Sequence, residues 1–277
     1  LPAPEAGAAA PPVAGAVRQG GAILASSVVT KAVEVVDRVV ASLIGGGAIS
    51  ALYYSFRIVH LPFSILSLAV NRSLAPQLSR CRGRGDKPRF ARLVERGLEV
   101  NLVLLAPVVC FVMLHAAEVV ELFYGRGRFG VQATELTTRA FVFYALAILP
   151  MGLIALLNRV YAALERNRVP LLAAVVGAVC NIALDLALYR TPLEHGGIAL
   201  ASAIGLGLQT VVLLAVLARF GVRPPWRRLA GSAGRLVPPL MLLAGAALLL
   251  RPVLPSEGSF LVRAAALGVV GAVTVGL

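Results

Sequence analysis

Two aspartates, an asparagine and a serine stand in runs that are otherwise apolar. Asp37 follows Val-Val, Asn181 and Asp185 are four residues apart among Ala, Ile and Leu, and Ser202 sits in Ala-Leu-Ala-Ser. Carboxylate, amide and hydroxyl oxygens are hard donors, and such a set suits Na⁺ or a proton better than a transition metal. Each could instead serve only to bond a neighbouring helix. Arg57 is the other chemically telling residue. Its planar fork matches a phosphate or pyrophosphate, and the competing reading is a structural ion pair with Asp37 or Asp185. What these groups do depends on whether the chain brings them together.

The elements that must position them are membrane helices. The chain of 277 residues is 58% hydrophobic and 14% charged, which suits a polytopic membrane protein and not a soluble domain. Eight apolar segments are predicted, at about 21–44, 49–78, 98–122, 138–164, 169–189, 197–218, 235–250 and 259–277. Pro62, Pro107 and Pro150 lie inside the second, third and fourth, where neighbouring helices can satisfy the freed carbonyls. Residues 1–20 read as an Ala/Pro-rich linker, 21–220 as a six-helix bundle and 221–277 as two further helices. The chain opens on Leu1 and stops inside an apolar run, so it is expected to be a fragment of a longer protein.

The net charge of +13 would suggest nucleic acid in a soluble protein. Here it sits between apolar segments, so nucleic acid is excluded as a partner and anionic lipid headgroups are expected instead. Arg80, Arg82, Arg84, Lys87, Arg89, Arg92 and Arg96 crowd one such stretch. Arg18, Arg166, Arg168, Arg219, Arg223, Arg227, Arg228 and Arg235 fall on the same side of the bundle. Only Arg126, Arg128, Arg190, Arg251 and Arg263 fall on the other. The richer side is predicted to be cytoplasmic, as are both ends of the chain.

Orientation gives depth. At 1.5 Å per residue, Asp37, Asn181, Asp185 and Ser202 all lie roughly 8–14 Å below the outer surface. Asn181 and Asp185 share one helix face. Glu34 is expected to pair with Lys31 and Arg38, leaving Asp37 without a local partner. Arg57 is expected to be buried, and so either paired or in cavity water. His60 is read as a packing histidine or a proton relay, and Arg139 as a snorkelling side chain. Cys81, Cys110 and Cys180 have no paired spacing, and neither disulfide nor metal chemistry is suggested. No nucleophile elbow, zinc-protease helix or P-loop is present, so no enzyme is expected.

The runs Val39-Val40-Ala41-Ser42-Leu43-Ile44, Ile49-Ser50-Ala51-Leu52-Tyr53-Tyr54, Arg57, Leu61-Pro62 and Leu74-Ala75-Pro76-Gln77-Leu78-Ser79 resemble the MurJ/MviN family of lipid II flippases. The turn Leu122 to Phe129 and the stretch from Asn181 through Asp185 to Ala201 resemble it as well. The resemblance implies an all-α polytopic bundle: the second lobe of a MurJ-like transporter plus two extra helices, with the N-terminal lobe missing. It implies a carrier in the bacterial cytoplasmic membrane that moves undecaprenyl-pyrophosphate-linked disaccharide-peptide outward by alternating access. Arg57 falls on the family's cavity arginine. The Na⁺ site of some members maps onto Asp37, Asn181, Asp185, the Ile198 carbonyl and Ser202, with Na⁺ or H⁺ as the coupling ion. Phe56 departs from the acidic residue often found before the arginine. The other readings are a cation-coupled multidrug or polyisoprenoid-lipid exporter of the same superfamily, and a non-transporting scaffold.

Overall fold

The computed structural model describes residues 13–125 and 129–220, with the isolated positions 231 and 234. Among these residues all regular structure is helical. The chain begins with α1 (Val13–Ile44) and α2 (Ala48–Pro62), then a single π turn (Phe63–Ser67) and α3 (Leu68–Gly83). After these come α4 (Lys87–Leu114), α5 (Ala116–Tyr124), α6 (Val131–Ala145) and α7 (Ile148–Ala163). The last described are α8 (Arg168–Leu188) and α9 (His195–Ala218).

The expected second span is α2, the π turn and α3 in series. The third is α4 with α5, and the fourth is α6 with α7, which are bent by 44° at their break. Four helical stretches are long and apolar enough to cross a membrane, and α6 with α7 makes a fifth as one broken span. α1 is longer than any of them at 32 residues. Its charges, Lys31, Glu34, Asp37 and Arg38, set it apart from the apolar spans and mark it as a helix that faces protein or a cavity. The protein is thus an all-α polytopic membrane protein.

Several boundaries differ from the sequence expectation. α1 starts at Val13, so the linker ends earlier than residue 20; no proline after Pro12 interrupts the helix before Ile44. The basic stretch is mostly helix. α3 runs on to Gly83, and Asp86 caps α4 by accepting the Arg89 N–H at 3.0 Å. The third segment breaks at His115 and the fourth at Leu146–Ala147, ahead of Pro150. The seventh and eighth segments lie outside the described residues.

Two apolar cores divide the bundle. One lies toward the turn Gly45–Gly47, whose three glycines all have positive φ. It joins Val40 and Ala41 of α1 to Leu52, Val120, Phe141, Ile148 and Ile198. The other lies toward the basic end and joins α3, α4, α7, α8 and α9 through Leu78, Phe90, Leu157, Tyr161, Ala173 and Leu213, with no α1 residue among those whose side chains are described. Between them is a polar layer. Ser67 donates to Asn101 Oδ1 at 3.2 Å, Asn71 donates to Ser67 Oγ at 3.1 Å, and Asn101 donates to the Gly97 carbonyl at 2.8 Å. All three side chains are buried. The π turn leads straight into this layer, where side-chain bonds support the irregular backbone.

Candidate functional site

The expected polar set assembles where α1 meets α8 and α9, and the crossing of α8 and α9 explains why. Gly177 and Gly205 meet there so closely that a Cβ on either would lie 2.8 Å from the other's carbonyl oxygen. Asn181 is one turn from Gly177 and Ser202 one turn from Gly205, so the close crossing brings their side chains together.

Asn181 Nδ2 lies 3.1 Å from Ser202 Oγ, and Ser202 Oγ donates to Asp37 Oδ2 at 3.2 Å. That amide orientation would set an NH₂ against the Ser202 backbone N–H. The reverse orientation removes the conflict: the nitrogen donates to Asp37 Oδ1 at 3.1 Å and the carbonyl accepts from Ser202 N at 2.9 Å, while the single hydrogen of Ser202 Oγ goes either to that carbonyl, at 3.1 Å, or to Asp37 Oδ2. The second network is preferred because a carboxylate only accepts and an N–H only donates.

Asp37 and Asp185 interact directly through their carboxyl groups. Asp185 is fully buried, and its Oδ1 has no hydrogen-bond partner among the described residues. A buried carboxylate oxygen left unpaired is costly unless a proton or cation meets it. Ile198 is buried one turn before Ser202 on α9. The donor set therefore fits a small hard cation: two carboxylates, one carbonyl-bearing amide and one hydroxyl, converging from α1, α8 and α9.

A cavity of about 450 Å³ reaches this group. Asp37, Asn181 and Ser202 line one end, and Ser26, Pro170 and Gln209 line the other, toward the basic end. From Asp37 to Ser26 is about 16 Å of helix. The expected ion pairs form at its rim: Lys31 lies 2.7 Å from Glu34, and Arg38 4.0 Å from the same carboxylate.

Arg57 is not where the sequence reading put it. It is exposed, and its Nη1 donates to the Tyr53 hydroxyl at 2.9 Å with the guanidinium over the same ring. It forms no ion pair with Asp37 or Asp185, because those carboxyls turn inward to each other while Arg57 leaves from a different face of α2. Phe56 takes the inward face instead. It lines the cavity and packs against His60 at 4.5 Å and Tyr144 at 5.5 Å. His60 also lines the cavity. Arg139 is held rather than snorkelling: it donates to the Pro192 carbonyl at 2.8 Å and lies 3.6 Å from Glu194. With the His195–Leu136 carbonyl contact at 2.9 Å, this ties α6 to the start of α9. The sequence reading missed the cavity residues Asn158 and Gln209. Both are amides in apolar runs, a signal that was available.

Paired carboxylates inside the bundle, broken spans and an internal polar cavity are features of a membrane transporter. The family model described as lipid II flippase MurJ matches residues 7–266, and the chain belongs to that family. A probable lipid II flippase MurJ of Bdellovibrio bacteriovorus is 26% identical over 206 residues, which cover 71% of this chain and 39% of that protein. One from Rhizobium tropici is 31% identical over 175 residues, covering 63% and 33%. The lipid II flippase MurJ of Burkholderia cenocepacia is 25% identical over 191 residues, covering 69% and 37%. The chain thus spans little more than a third of these relatives' length. Among solved structures, lipid II flippase MurJ in an inward closed conformation superposes with a TM-score of 0.71 at 21% identity, over 91% of this chain and 51% of that one. A MOP superfamily transporter from Pyrococcus furiosus gives 0.65 at 19% identity, over 94% and 62%. At these identities the structural likeness concerns the fold. The family is one of transporters, not enzymes.

Proposed function

We propose that this chain is the second lobe, with two further helices, of a lipid II flippase of the bacterial cytoplasmic membrane, joined in the whole protein to an N-terminal lobe. The whole protein carries undecaprenyl-pyrophosphate-linked disaccharide-peptide from the inner to the outer leaflet by alternating access. The family match over residues 7–266 carries this reading. The basic end is cytoplasmic, where its arginines meet anionic headgroups, and both ends of the chain lie on that side. Arg57, exposed on the lobe's surface, is free to meet a pyrophosphate in the space between lobes.

A cation bound by Asp37, Asn181, Asp185, Ser202 and the Ile198 carbonyl drives the cycle. The unpartnered Asp185 Oδ1 supports this part of the reading. Na⁺ would neutralise the two facing carboxylates and tie α1 to α8 and α9, so that its binding and release bias the position of α1.

The test is depletion of the full-length protein, followed by measurement of lipid II exposed on the outer leaflet. Exposure should fall; unchanged exposure overturns the flippase reading. Arg57→Ala in the complete gene should fail to restore growth. Full complementation would instead favour a scaffold.

A further inference from the structure

The cavity beside the candidate site is far larger than a bare cation needs. At about 450 Å³ it has room for about fifteen waters, at roughly 30 Å³ each. Its walls are mostly apolar, with Val29 and Val33 of α1, Met151 and Ile154 of α7 and Leu206 of α9. Such walls gain more from a hydrocarbon occupant than from water. One wall is aromatic. Phe56, His60 and Phe63 all line the cavity, and the His60 ring packs edge-on against both phenylalanines, at 4.5 Å from Phe56 and 5.6 Å from Phe63.

Charge decides what kind of occupant fits. Among the described lining residues the charged ones are Lys31, Glu34 and Asp37. Lys31 and Glu34 neutralise each other at 2.7 Å, which leaves the Asp37 carboxylate. Asn181 and Ser202 take up at most one acceptor position on each of its oxygens. A carboxylate oxygen has two such positions, so at least one remains on each. A cation is drawn to that carboxylate and to the ring faces alike. An anion would be repelled, and a neutral apolar molecule would leave Asp37 cut off from water without a partner.

We propose that this cavity binds a small amphipathic amine, with its ammonium group on Asp37 and a compact hydrocarbon body against the aromatic wall and among Val33, Met151 and Leu206. The inference goes beyond the flippase reading. It shares Asp37 with the proposed cation site but needs neither Na⁺ coupling nor flipping. An ammonium group and Na⁺ draw on the same carboxylate, so each excludes the other. The hydroxyls and amides at the other end, Ser26, Thr30, Asn158 and Gln209, keep that end hydrated while the apolar middle takes the hydrocarbon.

The experiment uses the full-length protein in phosphatidylglycerol nanodiscs. The probe is 1-aminoadamantane, and 1-adamantanol is its uncharged counterpart of the same shape. Binding is read from the rise in melting temperature with probe concentration in KCl. The amine should bind at least about tenfold tighter than the alcohol. Ala155 lines the cavity, and Ala155→Leu fills part of it. This variant should lose the amine while its melting temperature still rises with Na⁺ as in wild type. Asp37→Asn should erase the preference for amine over alcohol. Equal affinity for the two probes in wild type, or an amine Kd within about twofold of wild type in Ala155→Leu, overturns the proposal. So does an amine Kd unchanged by NaCl at a concentration that stabilises the protein, since the amine would then lie away from Asp37. Phosphatidylethanolamine added to the disc should leave the amine Kd unchanged; a weakening would make the lipid's own ammonium headgroup the occupant and overturn the small-amine assignment. The two readings fail separately. A protein that binds the amine but shows no response to Na⁺ loses the cation reading and keeps this one, and a Na⁺ response without amine binding does the reverse.

Discussion

The core at the glycine end and the core at the basic end are both lined with fully buried side chains, but they treat α1 differently. The first includes Val40 and Ala41 of α1 and locks that helix between α2 and α9. The second includes no α1 residue among those whose side chains are described. There the helix packs on α8, and its Ser26, Thr30 and Glu34 face a cavity instead of a core. The same helix is thus fixed at one end and lines open space at the other, with Asp37 at the changeover. Access to the carboxylates is one-sided for a physical reason: apolar packing fills one end of the bundle, and polar residues on α1, α7 and α9 keep the other from collapsing.

The largest contrast should come from accessibility. In full-length protein freed of its own cysteines, Gln209→Cys should react with a membrane-impermeant thiol reagent and Ala145→Cys should not. Equal labelling would erase the difference between the two ends. Core truncation should come next. Phe141→Ala and Leu157→Ala should each destabilise the protein by about 3–4 kcal/mol in denaturant melts. Only Phe141→Ala should also weaken Na⁺ binding, since Phe141 belongs to the core that anchors α1 next to Asp37. Asn101→Ala strips a buried partner from Ser67 and should cost about 1–3 kcal/mol. Its effect should appear as loss of stability with Na⁺ affinity kept, because it acts in the polar layer away from α1. Asp86→Ala removes the cap of α4 at the basic end and should cost about 1 kcal/mol, with no change in Na⁺ affinity.

Much of this was legible in the sequence because a bilayer punishes polar groups. Asp37, Asn181, Asp185 and Ser202 stood out against apolar runs, and a shared depth put them together before any contact was known. The four apolar spans and the broken α6–α7 span were legible for the same reason. The breaks were not. The interruption at His115 carries no proline, the one at Leu146–Ala147 lies one turn ahead of Pro150, which can give the Leu146 carbonyl no N–H, and the π turn follows Pro62 without announcing its length. Such breaks are settled by how neighbouring helices pack. The direction of Arg57 was not legible either. Adjacent helical residues point about 100° apart, so whether Phe56 or Arg57 faces inward depends on the rotation of α2 against α6 and α9, which periodicity in a uniformly apolar helix does not reveal.

The crossing of Gly177 and Gly205 has a consequence for genetics. Backbone touches backbone there, so no side chain can shift to absorb an added atom. The spacing between Asn181 and Ser202 is then inherited from the main chain. A saturation screen of the complete gene should find these two glycines as intolerant as the aspartates, even to alanine, although neither glycine carries a functional group. Suppressors of such changes should arise along the facing surfaces of α8 and α9, where a small residue can restore the approach, and not at the carboxylates.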